Sequence, residues 1–211
     1  MSFFDQIIQV LMPPENITDT PLVHKYGVCE RTEPGIWAEP LNVSSSFSFF
    51  IAAIMLLRFY LNNKEITSKW ILDIHILTGT LILIGAASVV FHMAPSYYTE
   101  LADIIFIVLF INVYFFSVMV RIAGVQGASL FVVYMAFLGS THILVDQFPN
   151  AMNDSIGYLS TMFTLIFIAF YLNIRRRPAA RAFLIAAMIG VLSLFFRVID
   201  NEICGSFKYG T

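Results

Sequence analysis

Ser88, His92 and Asp103 stand close together in the stretch ASVVFHMAPSYYTELAD, residues 87–103. Ser88 and His92 are four residues apart, so on a helix they share one face. Asp103 follows eleven residues after His92, beyond a connection marked by the breakers Pro95 and Ser96. That places it near the start of the next helix, where rotation can turn it back towards the pair. A neutral imidazole beside a carboxylate and a hydroxyl suits a zinc site that activates water. Catalytic zinc takes about three protein ligands, so one histidine supplies only one corner of such a site. A lone helical histidine, taken by itself, is more often structural.

The surroundings give these residues their weight. The chain has 211 residues, of which 58% are hydrophobic and 12% charged. Soluble domains carry about 25% charged residues. With a mean hydropathy of +0.79, lipid is the main solvent, and ionisable groups in such sequence are costly unless used. A net charge of −2 offers nothing to nucleic acid. No secretory signal is evident in MSFFDQIIQVLMPPEN. Its apolar residues fit a short interfacial helix ending before Pro13 and Pro14, with a frayed terminus as the alternative.

Six apolar runs are long enough to span a bilayer: Val43–Tyr60, Ile71–Met93, Leu101–Val120, Ala128–Val145, Ile156–Leu172 and Ala182–Val198. The first is the weakest, because Ser44, Ser45, Ser46 and Ser48 crowd its start. The runs neither alternate nor fit strand lengths, so the expected fold is an all-α integral membrane bundle. Residues 1–42 form an N-terminal segment and residues 43–211 the transmembrane bundle. Orientation follows the basic residues. Arg58, Lys64, Lys69, Arg121, Arg175, Arg176, Arg177 and Arg181 fall on one side, and Lys25, Arg31, Arg197 and Lys208 on the other. Eight against four places the N-terminus outside, in periplasm or organelle lumen, with a bacterial inner membrane as the expected location.

That orientation gathers the polar groups. His92, Glu100, Asp103, His142, Asp146, Arg197 and Asp200 all come to the outer end, with Glu30 and Glu39 in the segment before the first span. A polar cavity opening outward is one reading, and the ordinary polarity of span ends is the other. Cys29 and Cys204 fall on the same oxidising side. They either pair, tying the N-terminal segment over the bundle mouth, or remain two buried thiols.

Together these residues resemble the alkaline ceramidases and their bacterial relatives, within the membrane hydrolases that include the adiponectin receptors. The resemblance rests on CER (29–31), AEPLN (38–42), SVVFH (88–92) with Asp103, PNAMNDSIGYL (149–159) and FRVIDNEIC (196–204), in that order. It implies a seven-helix bundle with an intramembrane zinc, of which six helices are present. His92 matches the zinc ligand ending the second helix. Ser88 matches the serine that holds the reacting carbonyl, and Asp103 the acid that moves protons. Cys29 and Cys204 match a disulfide. Glu30 and Glu39 match two carboxylates of an N-terminal calcium site, although Gly27 and Thr32 stand near positions where the family has Asp and Asn. The chain stops at Phe207–Thr211, where the family continues into H-x-x-x-H and a seventh helix, so truncation is the expectation. His142, with Asp146 one turn on, is the substitute ligand to consider.

The resemblance thus implies a zinc-dependent amidohydrolase, with ceramide or a related N-acyl lipid as substrate and membrane lipids as surroundings. The alternative is a non-catalytic membrane receptor or regulator on the same scaffold. A transporter is disfavoured, because the inner halves of the spans lack polar residues.

Overall fold

A computed structural model describes residues 29–31, 35–63, 71–149, 151–153 and 155–203. The N-terminal amphipathic stretch, His24 and Cys204 lie outside the described residues. Among them there are six helices and no strand: α1 (Pro40–Asn62), α2 (Ile71–Met93), α3 (Tyr97–Ser117), α4 (Gly127–Gln147), α5 (Tyr158–Ile174) and α6 (Ala179–Ile203). A π-helical segment, Val118–Ala123, prolongs α3. All except α5 are long and apolar enough to cross a membrane. Helix α5 has 17 residues, about 26 Å at 1.5 Å per residue. The chain is an all-α, multi-pass membrane protein. Five of the six expected spans hold, and the sixth, Ile156–Leu172, falls on a shorter apolar helix.

Two compact units divide the described chain. One runs from Glu30 to Tyr114, and the other from Phe115 onward, taking in Cys29.

In the first unit α1 packs on α2. The buried residues of α2 include Ile74, Thr78, Leu81, Gly85 and Ser88. They recur at steps of four and three, one stripe of a 3.6-residue helix. His92 is the next position along this stripe. On α1 the buried positions are Val43, Ser46 and Ala53. Small residues let helix backbones approach where lipid offers no hydrophobic drive. At Gly85 an added Cβ would lie 2.9 Å from the Phe50 ring.

The serines that weaken the first span are accommodated by the backbone. Ser44 donates to the Pro40 carbonyl at 2.6 Å, and Ser46 to the Asn42 carbonyl at 2.7 Å. Thr78 does the same to Ile74 on α2. Each hydroxyl is therefore satisfied within its own helix, as hydrocarbon requires.

In the second unit α5 packs on α6, with α4 against α5. Phe115 stacks on Phe137 at a centroid distance of 4.9 Å. The π segment closes at Gly124, whose φ of 73° is a left-handed cap. The Ala123 carbonyl accepts the Tyr171 hydroxyl from α5 at 3.3 Å. Phe131, Phe167, Phe170 and Met188 are all more than half exposed. In water such a surface would be a liability, whereas facing lipid it is the expected outer face.

The α1–α2 contact makes one prediction. Gly85→Ala drives a methyl into a rigid ring and should cost about 1–3 kcal/mol. It is read as a lowered melting temperature in detergent, with Gly79→Ala, which meets nothing within 4 Å, showing no such loss.

Candidate active site

The start of α1 sets the geometry. Pro40 occupies the first turn, and Glu39 at the N-cap makes no side-chain cap. Glu30 does that work instead. Its two carboxylate oxygens accept the Leu41 and Asn42 N–H groups at 2.8 and 3.0 Å. A carboxylate at a helix N-terminus also complements the helix dipole.

Glu39 is thereby left to face α2. Its Oε1 accepts the Arg31 Nε–H. Its Oε2 accepts the Asn42 amide at 3.1 Å and lies 2.5 Å from His92 Nδ1. Arg31 spans both helices, because its Nη2 donates to the His92 carbonyl at 2.7 Å. That carbonyl lies in the last turn of α2, where orphan acceptors and the negative dipole end favour a cation. Side-chain exposure of Arg31 and Glu39 is only 7% and 5%. Burial raises the Glu39 pKa, but hydrogen bonds and charge from His92 and Arg31 outweigh it and hold the carboxyl below its usual value. Glu39 is therefore an ionised acceptor. An ionised Glu39 calls for a proton on His92 Nδ1, which leaves Nε2 as the ring nitrogen turned to other partners.

Asp103 is positioned by a capping box. Ser96 Oγ accepts the Thr99 N–H at 3.3 Å, and Thr99 Oγ1 accepts the Ser96 N–H at 2.8 Å. This reciprocal pair starts α3 two residues after Pro95. Four residues beyond Thr99, the Asp103 carboxyl comes near Ser88 and into the field of His92. Asp103 Oδ1 is buried without a hydrogen-bond partner among the described residues. Ser88 is buried, and the single Ser46 proton, directed mainly at the Asn42 carbonyl at 2.7 Å, is shared with Ser88 Oγ at 3.1 Å. The Ser88 proton remains available to a carboxylate or to a carbonyl oxygen.

The structure therefore brings Ser88, His92 and Asp103 together, and adds Arg31, Glu39 and Ser46. Arg31 entered the sequence reading only as a basic residue and as part of CER, while Ser46 was one of a cluster that weakened a span. Nothing in the spacing pairs them with residues some 40 to 60 positions later. His142 and Asp146 are exposed on α4, and Asp146 accepts the neighbouring Gln147 amide. His75 lies 2.6 Å from the Ile71 carbonyl and edge-on to Tyr60.

In the second unit, the Cys29 N–H donates to Asp200 Oδ2 at 3.3 Å, and both residues are buried. The Cys29 sulfur lies against the Asp200 carbonyl and is no free thiol.

For a metal, His92 Nε2 is the fitting donor, since a carboxylate behind the other ring nitrogen fixes tautomer and orientation. Among the described residues no group of three or more His, Cys, Asp or Glu could hold a metal ion. His92 is thus a ligand only together with donors beyond them. The N-terminal carboxylates are already engaged: all four oxygens of Glu30 and Glu39 face N–H donors.

Removing one partner of a buried pair costs about 3–5 kcal/mol, whereas replacing both by apolar groups is often close to neutral. Glu39→Ala should therefore lower the melting temperature sharply. The double variant Arg31→Met with Glu39→Met should recover much of the loss, and strict additivity of the two single changes would refute the coupling.

A protein-family model described as Ceramidase matches residues 32–210. Comparison with curated proteins and with solved structures gives no significant match.

Proposed function

Because the chain belongs to the Ceramidase family, a family of lipid-amide hydrolases, we propose that it is a zinc-dependent intramembrane amidase for ceramide or a closely related N-acyl lipid. The observation that carries this reading is the meeting of Ser88 and Asp103 beside His92, whose Nδ1 is engaged by Glu39. Zinc held at His92 Nε2, with further ligands from outside the described residues, would supply the Lewis acidity that makes water nucleophilic near neutral pH.

The chain's own residues do the rest. Asp103 Oδ1, buried and without a partner among the described residues, accepts the proton of the attacking water. The new C–O bond forms as the carbonyl oxygen gains negative charge. Ser88 stabilises that oxygen by a hydrogen bond from its hydroxyl, keeping its own proton, while Ser46 Oγ lies 3.1 Å away and steadies Ser88. Asp103 then passes its proton to the leaving nitrogen, the C–N bond breaks, and a fatty acid and an amine result. Arg31 and Glu39 hold the imidazole still and touch no reacting atom.

Placement supports the same reading. We assign the N-terminal side and the His92 end of α2 to the periplasm or lumen, with the bacterial inner membrane as the location. Cys29 pairs with Cys204, four residues after its partner Asp200.

The test is release of fatty acid from ceramide in mixed micelles by the purified native gene product. Asp103→Asn should reduce kcat by about 10²–10⁴-fold, the usual worth of a positioned general base, with little change in melting temperature. His92→Ala should abolish both turnover and stoichiometric zinc, measured by elemental analysis. A wild-type protein that retains zinc but turns over no acyl amide would point instead to a receptor or regulator on this scaffold.

A further inference from the structure

We infer that Arg31 is a built-in cation standing where the family resemblance places calcium, and that it positions the His92 imidazole through Glu39. Its kinetic consequence rests on the proposed role of His92, but its structural consequence does not.

Calcium takes six to eight oxygen ligands, typically with carboxylates turned towards the ion. Glu30 and Glu39 are the two carboxylates at the start of α1, and neither is turned towards a common centre. Both oxygens of Glu30 point at the first amides of the helix, accepting from Leu41 and Asn42. A cation there would meet N–H hydrogens carrying partial positive charge. Glu39 Oε1 is occupied by Arg31 Nε and Oε2 by the Asn42 amide and His92 Nδ1. A dication beside Glu39 would therefore face a guanidinium at contact range. As arranged, the residues do not fit calcium.

The guanidinium makes the links that an ion would otherwise make. It neutralises a buried carboxylate, and it bridges two chain segments by donating from Nη2 to the His92 carbonyl. The same residue is thus held at both ends: Glu39 holds the His92 ring and Arg31 holds its backbone. An arginine does this without any dependence on free ion concentration, because its fork of donors is always charged. Gly27 and Thr32, where the family carries Asp and Asn, agree with a site that has given up its oxygen donors.

Arg31 is a positioning residue, so its test needs a readout that simple loss of packing would not move. The full-length protein in detergent is unfolded thermally in calcium and in EGTA. The wild-type melting temperature should be the same in both. Arg31→Ala leaves Glu39 buried and uncompensated, so its melting temperature should fall and then rise again on adding calcium, which binds only the folded form. Arg31→Lys keeps the charge and should stay insensitive to calcium. Arg31→Gln, which keeps hydrogen bonding without charge, serves if the alanine variant does not fold, and should behave like it.

A wild-type melting temperature that rises with calcium and falls with EGTA would overturn the proposal. So would an Arg31→Ala protein as stable as wild type and indifferent to calcium. A second arm reads zinc retention against a competing chelator and the split between kcat and KM. Arg31→Ala should weaken zinc binding and lower kcat by about 10- to 100-fold, the usual cost of losing an outer partner of a ligand histidine, with KM unchanged and partial recovery in Arg31→Lys. Unchanged zinc retention would limit Arg31 to a structural role and refute the positioning claim. If even the wild type hydrolyses no lipid amide, the amidase reading fails, while the calcium arm still decides the identity of the cation.

Discussion

The buried charge on Glu39 is the constraint around which the first unit is arranged. An ionised carboxylate out of water is tolerated only when it is paired and hydrogen-bonded. Glu39 meets that condition with donors from three directions: Arg31 from the preceding segment, Asn42 from its own helix and His92 from α2. Each donor is thereby fixed as well. The start of α1, the end of α2 and the segment before them are joined at one carboxylate, and the imidazole inherits its tautomer from that junction.

The helices deliver these groups by ordinary means. The α2 stripe that buries Ile74, Thr78, Leu81, Gly85 and Ser88 continues by one turn to His92. The packing that holds α1 against α2 is thus the same packing that sets the depth of Ser88 and His92. A serine at position 46 serves both purposes, small enough for close approach and able to donate to Ser88. At the other side of the connection, the Ser96–Thr99 capping box fixes where α3 begins, and so where Asp103 comes within its first two turns. Little of this depends on the loops themselves.

Much of the fold was legible because its signals are local. Apolar runs of about twenty residues declare themselves, and the six helices fall on the six runs. The Ser88–His92 pairing was legible for the same reason, since a spacing of four is a statement about one helix. The roles of Arg31, Glu39 and Ser46 were not, because they are set by packing between segments distant in sequence. A run of serines reads only as polar until the helix it packs against is known. An arginine before the first span reads as a topological charge until the carboxylate it pairs with is in view. Glu30 and Glu39 were alike in sequence, two acids ahead of one helix, and the structure separates them: one caps amides, and the other holds a cation and an imidazole.

That separation also bears on the proposed proton transfer. Glu30 and Glu39 stand with Asp103 near this end of the first unit, with Glu100 three residues before Asp103 on α3, and a proton acceptor must have an unoccupied oxygen. Glu30 has both oxygens on backbone amides, and Glu39 has both on Arg31, Asn42 and His92. Protonating either would first break hydrogen bonds that hold the helices in register. Asp103 differs, because its Oδ1 is buried with no partner among the described residues. Leaving an acceptor unpaired in a low-dielectric interior costs free energy, and native chains rarely retain such an atom without a use. A water or substrate proton arriving at Oδ1 would relieve that cost rather than add to it. The proposed role of Asp103 as the proton-handling acid thus rests on that unpaired oxygen, set against Glu30 and Glu39, whose oxygens are committed.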